Sequence, residues 1–360
     1  MISFMPTDDE QAIADVVREF ARTELRPMAS HIEDDPSVLD DALRSFGQIG
    51  LVQTLAEAGL TGDELYPRVL SAIVLEELAW ADANTAAAFS ATTAFVRAVA
   101  EFGTDHQRRT VLATYADSSH ATAAITATEL GLLDDPQSPA TALTTTPDGL
   151  VLNGTKTLVP LADRCQHFLV TARHNERLVA VIVPADRAGL EIGPTRETMG
   201  LTAQRFRDIT LRDLPIDPAD LLGESDIPAL VNSSWTAASA ILTGLCRAVH
   251  EHSVEYTKMR SAHGSPLARK QTVALRLVDM LIDVESMRWM SWRAATHIDK
   301  GIGGARTPRL AHALAVKRSN WIVDEGVQLM GGHGYITENP VEAWYRNAKT
   351  TATLSLTVGV

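Results

Sequence analysis

The segment DGLVLNGTKTLVP, residues 148–160, decides the fold because its β-forming residues interrupt two long regions of helical sequence. Asn153-Gly154 inside it is the strongest short sequence signal for a β-hairpin turn. Further stretches of strand composition follow between turn residues: HFLVTAR (167–173), RLVAVIVP (177–184) and RFRDITLRDLPI (205–216). The middle of the chain is therefore predicted to be a β domain.

Before this segment the sequence has helical periodicity. In residues 8–25 apolar side chains recur at intervals of three and four, and Thr7 with Glu10 matches a capping box at the start of this helix. Residues 68–103 are rich in Ala and Leu and are predicted to form one long second helix that ends near Gly103.

Helical periodicity returns after about Asp226 and continues to the end of the sequence. Between residues 267 and 299 apolar residues alternate steps of four and three, which is typical of a helix packed in a bundle. The predicted fold class is mainly α with a central β domain. Its parts are an N-terminal helical domain (1–122), a middle β-barrel or sandwich (123–225) and a C-terminal four-helix bundle (226–360).

Composition excludes several classes of function. The chain of 360 residues carries 45 acidic and 32 basic side chains, a net charge of −13, which argues against nucleic acid as a partner. No apolar run approaches the ~20 residues of a membrane span, and the N-terminus lacks the order of a signal peptide, so we expect a cytoplasmic protein. Cys165 and Cys246 stand far apart with no CxxC pattern, and no metal site is predicted.

Several motifs in fixed order carry a family resemblance. They are VLEELAWADANTAAAFS (74–90) followed by EFGTDHQRR (101–109), LVLNGTK (150–156), RSAHGSPLARKQ (260–271) and QLMGGHGYITENPVEAWYRNAK (328–349). Together they resemble the flavin-dependent acyl-CoA dehydrogenases over nearly the whole chain. The last two are similar to the family patterns R-x-x-F-G-x-P-L-x-x-x-Q and Q-x-x-G-G-x-G-Y, which are specific.

The resemblance implies an FAD shared between two subunits, with the β domain of one holding the isoalloxazine ring and the C-terminal helices of its neighbour holding the adenine dinucleotide end. Arg260 suits a pyrophosphate, because a guanidinium can form bidentate charge-assisted contacts. Paired glycines let backbone N–H groups approach closely, and His263, where the family usually has Phe, can stack on adenine. The cofactor-binding residues implied are Arg260, His263, Gln271, Gln328, Gly331 and Gly332.

The residues that would hold the flavin ring depart from the family pattern. Residues 130–135 align with P-x-A-G-S-D, so Leu133 and Asp134 replace the Gly-Ser that serves substrate and flavin. Leu158 replaces the Trp that flanks the ring, and Pro160 replaces the Thr beside its reactive nitrogen. Leucine has no π-face and proline no N–H. We therefore expect this chain's own β domain to hold a flavin poorly.

The catalytic base of the family is also missing. Dehydrogenation needs a carboxylate that takes the α-proton while flavin takes the β-hydride. The two positions at which the family places this Glu align with Ser355 and Ser234. A serine without an adjacent base cannot abstract such a proton at neutral pH. No residue of this chain is therefore assigned a catalytic role.

These departures are similar to those of the base-less subunit of heteromeric α2β2 acyl-CoA dehydrogenases of steroid side-chain degradation. That resemblance implies a catalytic partner subunit that holds most of the FAD, an acyl-CoA substrate, and an electron-transfer flavoprotein as acceptor. Two alternatives remain open. One is a homomeric flavoenzyme that uses His333 or Asp134 as its base, although His333 is more simply a loop residue. The other is a non-catalytic scaffold or CoA-binding protein of the same fold.

Overall fold

The computed structural model describes residues 6–129, 138–223 and 226–354. The predicted order of helical domain, β domain and helical domain is confirmed. The boundaries between the domains stay a prediction. The N-terminal helices are α1 (Asp8–Phe20), α2 (Arg26–Ile32), α3 (Pro36–Gly47), α4 (Leu51–Thr61), α5 (Arg68–Ala81), α6 (Ala83–Phe102), α7 (Asp105–Gln107) and α8 (Ala113–Ala116).

Helix α1 begins as the sequence predicted. The Thr7 hydroxyl accepts the N–H of Glu10 at 3.3 Å, and the Glu10 carboxylate accepts the N–H of Thr7 at 2.6 Å. The capping box is therefore confirmed. A π-helical turn, Ala21–Leu25, continues α1 into α2.

The long second helix predicted over residues 68–103 was wrong, because Asp82 divides it into α5 and α6. Asp82 has extended backbone angles, and its carboxylate accepts the N–H of Thr85 at 2.6 Å and the hydroxyl of Thr85 at 2.7 Å. A short carboxylate side chain competes with helical backbone bonding and favours the N-cap position. Because the sequence on both sides of Asp82 is rich in Ala and Leu, it did not indicate this break between two helices.

The middle domain is a seven-stranded sheet. The strands are β1 (Thr122–Thr126), β2 (Ala142–Thr146), β3 (Gly149–Val159), β4 (Cys165–His174), β5 (Arg177–Pro184), β6 (Leu190–Thr195) and β7 (Arg207–Ile216). Their order in the sheet is β1-β4-β2-β3-β7-β6, and β5 pairs with β4. Strand β1 runs parallel to β4, whereas the β2/β3, β3/β7, β6/β7 and β4/β5 pairs are antiparallel.

The hairpin turn predicted at Asn153-Gly154 was wrong. Both residues lie inside β3, and the chain reverses instead between Thr146 and Gly149. Here Asn153 exchanges hydrogen bonds with Asp213 on β7, and the β3/β7 register shifts beside Gly154. A Cβ on Gly154 would lie 2.4 Å from the Thr141 hydroxyl oxygen. The dipeptide therefore marks a bulge where another segment approaches closely, a use of glycine that sequence alone does not separate from a turn.

The C-terminal domain consists of α9 (Ile227–Met259), α10 (Gln271–Asp299), α11 (Arg306–Met330) and α12 (Val341–Thr353). A small hairpin, β8 (Ser261–Ala262) with β9 (Ser265–Pro266), links α9 to α10. The predicted seam of α10 is confirmed, since Leu277, Met280, Val284 and Met287 are buried in the core shared with α9 and α11. No helix within the described ranges is long and apolar enough to cross a lipid bilayer.

A buried charge network ties the two helical domains together. Glu76 and Glu77 on α5 are 4% and 3% exposed, yet both are ionic partners. Glu77 binds Arg247 of α9 at 2.7 Å and Arg18 of α1 at 3.0 Å, and Glu76 binds Arg288 of α10 at 2.8 Å. Burial alone would raise the pKa of Glu77, but its hydrogen bonds and the charges of Arg247 and Arg18 outweigh burial and lower it. Carboxylates on one helix therefore fix the positions of three others.

Candidate cofactor site

A cavity of about 320 Å³ lies where the ends of α9 and α11 meet. The last residues of α9 form one wall and the segment that follows α11 forms the other, so the cavity depends on the packing of these two long helices. Its lining residues are Tyr256, Arg260, Leu267, Gln328, Leu329, Met330, Gly331, Gly332 and His333.

Arg260 caps the end of α9. Its N–H donates to the Tyr256 carbonyl and its carbonyl accepts from the N–H of Leu267, both at 2.8 Å, so the backbone is fixed while the side chain is exposed. Within the described part of the chain the Arg260 guanidinium makes no ion pair closer than 4.0 Å. A cation is therefore available for an anionic ligand in this cavity.

The glycine pair ends α11. Gly331 has φ 57° and ψ −133°, a conformation that favours glycine strongly. Gly332 has no such requirement, and a Cβ built on either residue meets no atom within 4 Å. The space beside both backbones is therefore open to a ligand.

The structure brings Arg260, Gln328, Gly331 and Gly332 together but leaves the other two predicted cofactor residues outside the cavity. His263 lies in the turn of the β8/β9 hairpin with φ 51°, and Gln271 is the first residue of α10. Both side chains are exposed. Their predicted contacts with the cofactor remain a prediction.

Tyr256 is a cavity residue that the sequence reasoning missed, and His333 was considered only as a base or a loop residue. The Tyr256 hydroxyl lies 2.9 Å from Nδ1 of His333 and 3.2 Å from the Met330 carbonyl oxygen. Tyr256 stands four residues before Arg260, hence on the same face of α9. That spacing is the signal that could have found it.

The β domain offers little to a flavin ring at the positions expected to hold it. Leu158 is half-buried, has φ 54°, and packs against the C-terminal helical core. Its N–H donates to the Asp208 carboxylate at 3.2 Å. Pro160 is buried and has no N–H to offer. Leu158 therefore offers an apolar side chain, and Pro160 offers no donor, at the positions where the family resemblance implied ring contacts.

Family models match the chain over three consecutive segments. The N-terminal, middle and C-terminal domains of acyl-CoA dehydrogenase match residues 7–119, 124–214 and 231–355. The chain belongs to the acyl-CoA dehydrogenase family. This acyl-CoA dehydrogenase homologue is 26% identical over 355 residues to the short-chain specific acyl-CoA dehydrogenase of Bos taurus mitochondria, covering 96% of this chain and 86% of the relative.

Other relatives agree in length and fold. The probable acyl-CoA dehydrogenase YngJ of Bacillus subtilis is 25% identical, with 97% of this chain and 94% of the relative covered. Butyryl-CoA dehydrogenase of Megasphaera elsdenii has a similar structure, with a TM-score of 0.87, 24% identity, and 99% and 98% of the two chains covered. Glutaryl-CoA dehydrogenase of Mycobacterium smegmatis gives 0.88 at 20% identity, with 98% and 92% covered. These two solved structures show the shared fold.

FAD is the cofactor of this family. The cavity supplies a free guanidinium, the Gln328 amide and open backbone, which suits the diphosphate end of the molecule. The described residues of the β domain supply no comparable donors at Leu158 and Pro160 for the ring. When bound, flavin supplies the acceptor for hydride.

The structure describes only some of the residues at the predicted positions of a catalytic base. Ser234 lies on α9, is fully buried, and its hydroxyl has no hydrogen-bond partner within the described residues. Ser355, Asp134 and the aligned residues 130–133 lie outside the described residues. Within the described ranges no cluster of three or more His, Cys, Asp or Glu side chains has the geometry to hold a metal ion.

A buried ion pair holds the chain just before residue 130. The Lys156 side chain is fully buried, and its Nζ contacts Glu129 at 2.6 Å and the Thr171 hydroxyl at 3.2 Å. The Glu129 carboxylate also accepts the N–H of Ala140 at 2.6 Å and the hydroxyl of Thr141 at 2.6 Å. Glu129 therefore fixes both sides of the segment from residue 130 to residue 139.

We expect the Glu129–Lys156 ion pair to make the free energy of unfolding depend on pH. Burial alone would raise the pKa of Glu129, but hydrogen bonds from Lys156 and Thr141 and the Lys156 charge outweigh burial and lower it. A carboxyl with a lowered folded-state pKa stabilises the protein above its unfolded pKa, about 4.3 for Glu, and loses this contribution as pH falls further. The wild type should therefore have a larger free energy of unfolding than Glu129→Gln at pH 6. This difference should shrink as the pH falls below about 4.

Urea unfolding of both proteins across this pH range measures the difference in the free energy of unfolding. A Glu57→Gln variant, at an exposed residue of α4, serves as a control for the global acid response. A difference between wild type and Glu129→Gln that stays constant down to the most acidic pH would contradict the prediction.

Proposed function

We propose that this chain is the base-less subunit of a heteromeric FAD-dependent acyl-CoA dehydrogenase. It completes the flavin site of a catalytic partner, in an α2β2 assembly that forms the α,β double bond of a CoA thioester and passes electrons to an electron-transfer flavoprotein. The substrate proposed is a steroid side-chain thioester, on family resemblance alone. The names of the short-chain relatives suggest a smaller acyl group, so both substrates belong in the test.

One observation carries the proposal: the chain has a cation-bearing cavity that suits the nucleotide end of a flavin, whereas Leu158 and Pro160 stand at two positions expected to contact its ring. Arg260, Gln328 and the Gly331-Gly332 backbone lie together, whereas Leu158 and Pro160 replace the ring contacts. The aligned base positions hold Ser355 and Ser234. Such a chain contributes to a flavin that another polypeptide holds.

The role of this chain in the reaction is binding and orientation. The Arg260 guanidinium neutralises the diphosphate, and the Gln328 amide can donate to a ribose or phosphate oxygen. Close approach of the ligand to Gly331 and Gly332 requires no movement of side chains. The α-proton is taken by a carboxylate of the partner, since no carboxylate of this chain stands at either aligned base position.

An exposed apolar face on α10 supports a protein partner. Leu275, Val278, Ile282 and Trp289 are 57%, 52%, 56% and 43% exposed and are spaced by three, four and seven residues. They therefore lie along one face of the helix. Helix α10 begins directly after the turn that contains the cavity residue Leu267. We propose the catalytic subunit as the occupant, because a subunit whose flavin reaches Arg260 would also lie against α10.

The test of the proposed function is co-expression with candidate catalytic subunits, followed by a visible spectrum of what co-purifies. We expect the isolated chain to be colourless and inactive, and the complex to be yellow and to oxidise an acyl-CoA. Steroid side-chain CoA and butyryl-CoA should be compared as substrates. Stoichiometric flavin on the isolated chain would contradict the proposal. Turnover by the isolated chain that is lost on His333→Ala would instead support a homomeric enzyme.

We expect Ile282→Asp to prevent the complex from forming. A carboxylate at the centre of an apolar interface is desolvated without a partner, which costs several kcal/mol. Val16→Asp is a control, because Val16 is also an exposed apolar residue, at 55%, and lies on α1 and not on α10. Size-exclusion chromatography of the co-expressed proteins measures the outcome. Complex formation by Ile282→Asp at the wild-type level would exclude this face as the interface.

A further inference from the structure

The Tyr256–His333 pair in the cavity wall has no part in the function proposed so far. The Tyr256 hydroxyl has two partners within reach, Nδ1 of His333 at 2.9 Å and the Met330 carbonyl oxygen at 3.2 Å. The two rings also meet edge to face, with centroids 6.1 Å apart and planes at 67°. Hydrogen bond and ring contact together fix the orientation of the imidazole.

Tyr256 can decide which nitrogen of His333 carries the proton. When the Tyr256 hydroxyl donates to Nδ1, the proton of the neutral imidazole lies on Nε2. When the hydroxyl donates to the Met330 carbonyl instead, Nδ1–H donates to the Tyr256 oxygen and Nε2 is an acceptor. An anionic ligand at Nε2 favours the first arrangement, because only that arrangement offers it a donor.

We propose that His333 is a phosphate ligand of the nucleotide cavity and that Tyr256 is its positioning residue, so that Nε2–H donates to a diphosphate oxygen beside Arg260. This inference rests on the proposed function and adds residues to the same site. The ligand class is a nucleoside diphosphate, whether it is the ADP half of FAD or a free nucleotide. A cavity of about 320 Å³ is at the small end of ligand pockets, which suits part of a dinucleotide.

Within the described part of the chain Arg260 is the only Lys or Arg that lines the cavity, and most of the charged residues around it are paired. On α9, Glu255 pairs with Lys258 at 2.7 Å, and on α12, Glu342 pairs with Arg346 at 2.8 Å. The charged residues on the last turns of α11 are also paired: Asp324 with Lys349 and Glu325 with Arg276. Arg269 and Glu338 are exposed nearby and do not line the cavity.

The experiment is calorimetric titration of the full-length chain with ADP-ribose, whose diphosphate is esterified at both ends. We expect His333→Ala to lower the affinity about fivefold, because the diphosphate loses one hydrogen-bond donor. His333→Gln should recover part of this loss, because its amide nitrogen is also a donor.

Tyr256→Phe distinguishes positioning from direct binding. It should lower the affinity about threefold when His333 is present, because the imidazole is less well held, and should have no further effect in the His333→Ala variant. His106→Gln, at an exposed residue of α7, controls for general effects of losing a histidine. The thermal unfolding temperature of each variant should lie within a few degrees of that of the wild type.

Either of two results would overturn the inference: absence of ADP-ribose binding by the wild-type chain at millimolar concentration, or a His333→Ala variant that binds ADP-ribose as tightly as wild type. Failure of the proposed function has a different signature, namely a co-purified complex without flavin absorbance. The two failures can therefore be told apart.

Discussion

Arg260→Met is expected to remove most of the flavin from the purified complex. Truncating one partner of a desolvated charge pair costs about 2–5 kcal/mol, which corresponds to a rise of about 30-fold or more in the dissociation constant. No other guanidinium or ammonium within the described ranges lines this cavity. The loss of the Arg260 charge therefore has no replacement.

A second variant separates the effect of the Arg260 charge from the effect of its planar shape. Arg260→Lys keeps the charge but not the planar fork that binds two phosphate oxygens, so we expect intermediate flavin affinity. Arg269→Met is the matched control, because Arg269 is an exposed arginine nearby that does not line the cavity. Flavin absorbance per mole of complex and FAD titration of the deflavinated complex measure the effect. Full flavin content in Arg260→Met would place the nucleotide elsewhere.

Glu77→Gln is expected to cost about 3–5 kcal/mol of the free energy of unfolding, because breaking a buried ion pair leaves an uncompensated buried charge. Arg247 contacts the Glu77 carboxylate at 2.7 and 3.1 Å, and Arg18 contacts it at 3.0 Å. The glutamine can accept a hydrogen bond but carries no charge. Arg247, whose side chain is 17% exposed, would keep only Glu76 as a close partner in the core.

Chemical denaturation at neutral pH measures this loss, and the exposed Glu57 of α4 provides the control, since Glu57→Gln should change the free energy of unfolding by less than about 0.5 kcal/mol. Because the pKa of Glu77 is lowered in the folded state, its contribution is present above the unfolded-state pKa and disappears in acid. A loss below about 1 kcal/mol at neutral pH would show that solvent screens the network.

The sequence determined what depends on local chemistry and periodicity. Thr7 and Glu10 satisfy each other's backbone across one helical turn, so the start of α1 could be read directly. The seam of α10 followed from its repeat, and the domain order followed from strand-forming residues between helical regions. The motif around Arg260 and the glycine pair predicts a nucleotide site, because guanidinium charge and backbone access serve the same ligand, and that assignment stays a prediction.

Tertiary structure decided what depends on residues distant in the chain. Asn153-Gly154 suits a turn by itself, but Thr141 and Asp213 approach it from other segments and make it a bulge. Arg260 meets Gln328 only because α9 packs along α11, and the same packing brings His333 to Tyr256. A hydrogen bond between side chains 77 residues apart leaves no periodicity in the sequence, because only three-dimensional packing sets the distance.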